Sequence, residues 1–319
     1  MLNRRLLRIK IFQALYSYYQ SDSEDFMPAM KNLMKSLTKM HELFILNLSL
    51  LVKIADMIDE RFEEGKQKHI KTGKDSEELK RLSDNIVIEN LRNNQSIAAY
   101  IREYKIQWGG ESDMLRKIAR SVEETPDYQD YRSTPDDGSD IQFLKSLYKN
   151  YIYGNELFLS KLEEQNIHWG QDQYYIGIIL MSYLKKESFF NDSTLEVPGI
   201  YKPLSFEDSE SDENFVKILF RETIRNAAEY EKVIFQYLEN WEPERIALSD
   251  LIIMRMACAE ILTFDQIPVK VSLNEYIEMS KTFSTPKSKI FVNGVLDKVI
   301  SHYNREGKIE KIGRGLQES

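Results

Sequence analysis

Residues 267–298 read IPVKVSLNEYIEMSKTFSTPKSKIFVNGVLDK, and this stretch decides the fold. Ser272 and Glu275 have the spacing of a capping box, which predicts the start of a helix. Thr285-Pro286 combines a good N-cap residue with a proline suited to the first turn, so a last helix is predicted from there to about Asn304. Helices joined by such short connections are expected to pack antiparallel or to cross steeply.

The preceding segment predicts a buried central helix. It runs from Pro243 to about Phe264, is apolar on nearly every side and includes the lone Cys258, which we interpret as a core residue. Three- and four-residue apolar spacing predicts further helices over 4–19, 26–64 (one helix or a pair), 86–104, 114–122, 141–186 and 214–241. Residues 123–140 are predicted to be a loop and 191–212 a linker. The predicted fold class is all-α.

The bulk composition excludes several classes of protein. The chain has 319 residues, of which 42% are hydrophobic, and only 13 glycines and 8 prolines, which argues against many short strands. One cysteine excludes a disulfide framework and a multi-cysteine zinc site, and the four histidines are far apart. We therefore expect no metal and no cofactor. The longest apolar run, 43–52, is too short to span a bilayer, so we expect no membrane association and a cytoplasmic location.

The net charge of −8 hides an uneven distribution. Acidic residues are concentrated at 123–140 and 207–213. Arg4, Arg5, Arg8 and Lys10 precede the first acidic residue of the chain, and 281–314 contains eight basic residues against three acidic ones. Cations at the start of a helix oppose its dipole, so a partner anion such as RNA phosphate would explain the arginines. A solvated first turn is the alternative.

Two segments resemble each other at a constant offset of 72 residues. Phe143 and Phe215 open the similarity, Trp169 and Trp241 close it, and several apolar positions between them match without a gap. A degenerate internal duplication and chance agreement between amphipathic helices both fit this pattern.

Three motifs in order resemble the C-terminal half of the NusB family of bacterial antitermination factors. They are IPVKVSLNE at 267–275, KTFS at 281–284 and FVNGVLDK at 291–298, and 250–261 fits the family's preceding helix. RRLLR at 4–8 with QALYS at 13–17 matches the family's first helix. The resemblance implies two small helical bundles. We therefore predict a NusB-like RNA-binding core of 1–22 and 206–304, a helical insertion at 23–205 and a basic C-terminal tail at 305–319.

The resemblance also implies a function without catalysis. NusB proteins pair with NusE, a protein of the small ribosomal subunit, bind the boxA element of nascent RNA and help RNA polymerase, with other Nus factors, to resist termination. The residues that the resemblance predicts to bind RNA are Arg4, Arg5, Arg8, Tyr16, Lys287 and Phe291. Asp250 aligns with an acidic residue that faces NusE in the family, although an Asp in a first turn also simply favours the helix. Phe12 is interpreted as core.

Two other functions stay open at this point. One is a helical protein–protein scaffold without RNA binding, which the acidic net charge favours. The other is the RNA-binding module of an RNA methyltransferase. We expect no catalytic domain, because the motifs end about twenty residues before the last residue and no glycine-rich cofactor loop occurs. The glycine of FVNGVLDK, Gly294, is expected to permit a close helix–helix approach.

Overall fold

A computed structural model describes most of the chain. The described residues are 2–21, 24–68 (65–68 by backbone alone), 82–133, 139–184, 197, 199–201, 211–238 and 245–316. Within these ranges the secondary structure is helical and includes no strand, which confirms the all-α prediction. No helix in these ranges is both long enough and apolar enough to cross a membrane.

The described residues form fourteen α-helices. They are α1 (Arg4–Tyr19), α2 (Met27–Lys68), α3 (Ile86–Asn93), α4 (Gln95–Glu103), α5 (Ser112–Glu123), α6 (Pro126–Ser133), α7 (Asp140–Leu147), α8 (Glu156–Gln165), α9 (Trp169–Tyr183), α10 (Asp212–Arg225), α11 (Ala227–Gln236), α12 (Leu248–Thr263), α13 (Val269–Phe283) and α14 (Ser288–Arg305). A π-helical turn, Tyr148–Ile152, follows α7, and 3₁₀ turns occupy Leu82–Asp84 and Gly313–Leu316.

The chain divides into two compact units. The terminal unit combines Met1–Leu37 with Ile200–Ser319, and the middle unit is Thr38–Gly199. The first boundary therefore falls inside α2, and residues 305–319 belong to the terminal unit. The family boundaries of the core, 1–22 and 206–304, stay a prediction.

The terminal unit is built around α12. Every residue of this helix from Ile252 to Ile261 is buried, and α1, α10, α11, α13 and α14 all pack against it. The prediction of a buried central helix is confirmed, because a helix that is apolar on all sides is stable only when it is covered on all sides. Its first residue is Leu248, and Pro243 lies outside the described residues.

The predicted capping box at the start of α13 is wrong. The helix begins at Val269, directly after Pro268, and has no side-chain cap. Ser272 donates instead to Glu260, and Glu275 binds Arg5, so both side chains are used in tertiary contacts. The last helix begins at Ser288, after a turn in which the Ser288 N–H donates to the carbonyl of Thr285.

Gly294 does not lie at a close helix–helix contact. It is exposed, and a Cβ built on it would meet no atom within 4 Å. The expectation that Gly294 permits a close helix–helix approach is therefore wrong within the terminal unit.

The C-terminal residues fold back onto the end of α12. The Lys311 ammonium donates to the carbonyls of Ile261 and Phe264 at 2.8 and 2.7 Å, which satisfies acceptors that a helix C-terminus leaves open. Burial lowers the pKa of Lys311 to about 8. Gly315 lies so close to the chain that a Cβ there would be 1.9 Å from the carbonyl oxygen of Asp265. The tail is thus packed at a position that requires glycine.

The middle unit is organised around the part of α2 that it contains. Asn47 of α2 is buried and exchanges hydrogen bonds with Gln173 of α9 at 2.9 Å in each direction, while the Tyr148 hydroxyl donates to Asn47 at 2.9 Å. Trp169 is buried, and its ring N–H donates to the backbone carbonyl of Lys39. These contacts join α9 and the π-helical turn to α2.

The predicted loop at 123–140 needs correction, and the origin of the internal similarity stays open. Residues 123–140 are not only a loop, because Pro126 occupies the first turn of α6. At the offset of 72 residues, the starts of α7 and α10 coincide and those of α8 and α11 differ by one residue. Trp241 lies outside the described residues. Duplication and chance agreement still both fit.

Candidate nucleic-acid interface

The candidate interface begins at the first turn of α1. The Asn3 side chain caps this helix by accepting from the Leu6 N–H at 2.9 Å, and the first turn contains no acidic residue. The charges of the neighbouring arginines are therefore not balanced within α1. Carboxylates from three other helices approach them instead.

Arg4 lies against the start of α10. Its Nε is 3.3 Å from a carboxylate oxygen of Asp212, and its guanidinium carbon is 5.0 Å from the ring centre of Phe215. About a quarter of the side chain, 27%, is exposed. Arg4 thus helps to join α1 to α10 and still reaches the surface.

Arg5 is the more accessible arginine. It donates twice to Glu275 of α13, at 2.9 and 2.8 Å, while 55% of its side chain is exposed. The hydrogen bonds and charge of Glu275 raise the pKa of Arg5. Because exposed ion pairs of this kind contribute little stability, this guanidinium can exchange its partner for another anion at low cost.

Arg8 forms a buried, bidentate ion pair with Glu260 of α12. Both hydrogen bonds measure 2.7 Å, and the Glu260 carboxylate also accepts from Ser272 at 2.6 Å and from Tyr276 at 2.8 Å. Burial would raise the pKa of Glu260, but the charge and hydrogen bonds of Arg8, with those of Ser272 and Tyr276, lower it. The pair thus fixes α1, α12 and α13 together.

Arg8 does not fit the predicted contact with RNA. Only 3% of the residue is exposed, so a phosphate cannot reach its guanidinium while the core is intact. The predicted role of Arg8 in RNA binding is therefore corrected to a structural role. Arg8 neutralises the buried Glu260 carboxylate, and a buried cation is itself stable only with such a partner.

Two aromatic residues of α1, Phe12 and Tyr16, differ in burial. Phe12 is 4% exposed and lies 4.9 Å, centre to centre, from Phe283 of α13, which confirms it as core. Tyr16 is 39% exposed and lies 6.1 Å from Phe12, with its hydroxyl accepting from Gln20. A partly exposed ring beside the core can offer one face to a stacked base.

Further cations surround the end of α13 and the start of α14. Lys287 and Lys289 are exposed, whereas Phe291 is half-buried. The Lys281 hydrogen bond to Glu278 lowers the pKa of that carboxyl, as do the charges of Lys289 and Arg5. Since these three cations belong to three different helices and all act on Glu278, the fold brings them to one region of the terminal unit.

Asp250 is not on the surface. It is 5% exposed and accepts a hydrogen bond of 2.8 Å from Ser288, which links the first turn of α12 to the start of α14. The prediction that it contacts NusE is corrected to an internal contact. The alternative interpretation of Asp250 therefore holds: its carboxylate lies in the first turn of α12, where a negative charge favours the helix.

The sequence did not reveal the acidic partners of the arginines. Asp212, Glu260 and Glu275 are more than 200 residues away from α1 along the chain. One signal was available, since Glu260 lies between apolar residues of α12, Met256–Ala259 and Ile261–Leu262, and a buried charge requires a partner of opposite sign.

Comparison with known proteins supports the resemblance. The sequence pattern of the NusB family matches residues 176–301. The transcription antitermination protein NusB of Salinibacter ruber is 42% identical over 110 residues, which are 34% of this chain and 69% of that protein. The NusB of Natranaerobius thermophilus is 35% identical over 119 residues, 36% of this chain and 86% of that protein. The NusB of Chloroherpeton thalassium is 41% identical over 103 residues, which are 32% of this chain and 49% of that protein.

The extent of these matches is sufficient to assign the chain. It belongs to the NusB family. The family pattern begins within α9 and ends within α14, so α1 lies outside it. The fold nevertheless includes α1 in the terminal unit, where it packs on α10 and α12.

Proposed function

We propose that this protein is a transcription antitermination factor that binds boxA RNA together with NusE. It would act in the cytoplasm within the antitermination complex of RNA polymerase and other Nus factors, and by binding rather than by catalysis. Its relatives are transcription antitermination proteins, and the chain shares their pattern over 176–301.

The observation that carries the RNA part of the proposal is the basic region of the terminal unit. Arg5 and Lys289 both act on Glu278, and Lys287 is exposed in the turn that precedes α14. Phosphate binds well to such a set of exposed guanidinium and ammonium groups, and arginine can bind it with two parallel hydrogen bonds. The proposed RNA-binding residues are now Arg4, Arg5, Tyr16, Lys287 and Phe291.

A gel-shift titration with boxA RNA, with and without NusE, tests this proposal. Arg5→Glu should weaken binding at least about tenfold, because it places a carboxylate beside Glu275 where a phosphate is expected. Lys232→Glu is the matched control, since Lys232 is an exposed cation on α11, whereas α1 packs on α10 and α12. Equal effects of the two variants would contradict the assigned surface.

The salt dependence distinguishes specific phosphate contact from other binding. If several cations of this region bind phosphates, the logarithm of the affinity should fall steeply and linearly with the logarithm of the salt concentration. Arg5→Glu should make that slope shallower. An affinity that does not change with salt would contradict phosphate contact.

A protein–protein scaffold without RNA binding is the second candidate function. One observation favours it: Arg4, Arg5 and Arg8 each have a carboxylate partner within the chain, so none needs RNA to balance its charge. In that case the protein would bind NusE in a pull-down but would not shift boxA RNA in either the presence or the absence of NusE.

A further inference from the structure

Two carboxylates of α13 lie among the cations of the basic region. Glu275 and Glu278 are three residues apart, so their side chains project from the same face of the helix, with Cβ atoms about 5–6 Å apart. Glu275 is half-buried, and Glu278 is exposed. The two groups form a short row of negative charge on α13.

Arg5 of α1 binds the first carboxylate and lies near the second. Its Nε and Nη2 donate to the two oxygens of Glu275 at 2.9 and 2.8 Å, which is the parallel arrangement that a guanidinium also uses on a phosphate. After the hydrogen bonds and charge of Glu275, the charge of Glu278 also raises the pKa of Arg5. One guanidinium therefore interacts with both carboxylates.

Two lysines surround the second carboxylate. Lys281 donates a hydrogen bond to Glu278 within α13. This hydrogen bond and the charge of Lys281 lower the pKa of Glu278, as do the charges of Lys289 in α14 and of Arg5 in α1. Three cations from three helices thus surround two carboxylates, so the five side chains together have a single net positive charge.

We propose that Glu275 and Glu278 occupy the places of two RNA phosphates and keep the basic region self-inhibited. RNA would bind by taking Arg5, Lys281 and Lys289 from these carboxylates onto its own phosphates. The proposal rests on the proposed function, because it concerns the regulation of the same RNA surface. It goes beyond that function in giving the two carboxylates a role as internal competitors of RNA.

The exposure of the cations favours exchange over a purely structural role. Of the side chains, 55% of Arg5 and 40% of Lys281 are exposed, and Lys289 is exposed as well. Exposed ion pairs contribute little stability, so a phosphate can replace the carboxylate at low cost. The buried pair of Arg8 with Glu260 is the contrasting case, since no solute reaches it in the folded protein.

Internal carboxylates also favour long anions over short ones. An isolated phosphate that reaches one cation is repelled by the neighbouring carboxylate and gains only one contact. An RNA strand brings several phosphates on one backbone, so its second contact forms at a high effective concentration once the first has formed. The carboxylates thus make the region selective for polyanions.

A gel-shift titration of the full chain with boxA RNA in the presence of NusE tests the proposal. Glu275→Gln combined with Glu278→Gln should bind RNA about tenfold more tightly than the unaltered chain, because two charges that repel phosphate are removed. The salt dependence should become steeper by about 0.7 for each additional phosphate that the freed cations neutralise.

Glu229→Gln combined with Glu306→Gln is the matched control. It changes the net charge by the same amount and also removes two exposed carboxylates from a lysine, Lys308. Glu306 directly follows α14, about 25 Å along the helix from Lys289. The control should change the affinity for RNA by less than about twofold.

Three results would overturn the proposal. One is an equal gain in affinity for the double variant and the control, which would show an effect of net charge alone. Another is a weaker complex of the double variant, which would mean that the carboxylates position the cations for RNA. The third uses Glu278→Gln alone, which removes an exposed side chain and does not depend on the fold tolerating Glu275→Gln; unchanged affinity of this variant would exclude competition by Glu278.

A probe without bases separates failure of this proposal from failure of the proposed function. Inorganic tripolyphosphate is titrated into the full chain while NMR follows the Nε–H signal of Arg5. That signal should respond at about tenfold lower concentration in the Glu275→Gln, Glu278→Gln variant. If it does so while neither protein binds boxA RNA, the proposed function fails and the competition stands. If both proteins bind boxA RNA and respond to tripolyphosphate equally, the competition alone is overturned.

Discussion

Replacing Arg8 with alanine should destabilise the terminal unit strongly, although Arg8 is one of four cations that the sequence places together at the first helix. The substitution removes the only cation that contacts the Glu260 carboxylate at hydrogen-bonding distance among the described residues. Glu260 is fully buried and would keep only the hydrogen bonds from Ser272 and Tyr276. Removing one partner of a buried ion pair costs about 3–5 kcal/mol, because the other charge is left without compensation.

This cost corresponds to a large change in thermal stability. For a unit of the size of Met1–Leu37 with Ile200–Ser319, each kcal/mol lowers the midpoint by about 2–4 °C, so Arg8→Ala should lower it by about 6–20 °C. Differential scanning calorimetry of the full chain measures this change. Arg221→Ala is the matched control: it removes an exposed pair with Glu222, and its effect should stay below about 1 kcal/mol.

The pH dependence of stability is an independent test of the ion pair between Arg8 and Glu260. In the unaltered protein the pKa of Glu260 is lowered, so its stabilising contribution is present above the pKa of the unfolded chain and is lost as the pH falls through the folded pKa. Without Arg8, burial dominates and should raise the pKa of Glu260. Ionised Glu260 then opposes folding, so the loss of stability in Arg8→Ala should be greater at pH 8 than at pH 5.

A double variant separates charge from packing. Arg8→Met with Glu260→Gln removes both charges and keeps an acceptor for Ser272 and Tyr276, so it should be more stable than Arg8→Ala alone. The interpretation would be refuted if Arg8→Ala cost no more than Arg221→Ala, or if its cost were the same at pH 5 and pH 8.

Three further substitutions test other contacts. Glu275→Gln removes the negative charge held by Arg5, so affinity for boxA RNA in the gel shift should rise by about threefold; an unchanged or weaker complex would contradict phosphate binding by Arg5. Asn47→Ala breaks the buried network of the middle unit and should lower its unfolding free energy by about 2–3 kcal/mol in urea titrations, and a loss under about 0.5 kcal/mol would show that the network is dispensable. Gly315→Ala would place a Cβ against the carbonyl of Asp265, so the tail should become sensitive to protease and exchange its amide hydrogens faster; unchanged protection would mean that the tail is not held there.

The helical fold was largely readable from residue patterns because helices form through contacts between near neighbours. The spacing of apolar residues predicted α1, α2 and α12. The break between α3 and α4 was missed, because it depends on one side chain, that of Asn94, which caps α4. The helix α6 was missed because its polar composition resembles a loop, although Tyr128 and Tyr131 are buried.

The candidate site was less predictable because it depends on which side chains meet across the fold. Composition indicated that the N-terminal arginines need anions, but it did not distinguish an RNA phosphate from a carboxylate of the same chain. The structure separates three neighbouring residues: Arg8 is buried against Glu260, Arg4 is partly covered and Arg5 remains largely exposed.

By itself, the sequence determined the fold class, the central position of α12 and the membership of the NusB family, because apolar periodicity and ordered motifs are local properties of a chain. Only the tertiary structure decided which charges are available. Arg5 and Arg8 differ by three residues and lie about one turn apart, yet α12 and α13 bury one and leave the other at the surface. Burial depends on packing partners more than 200 residues away, and the free energy of a charge depends on burial.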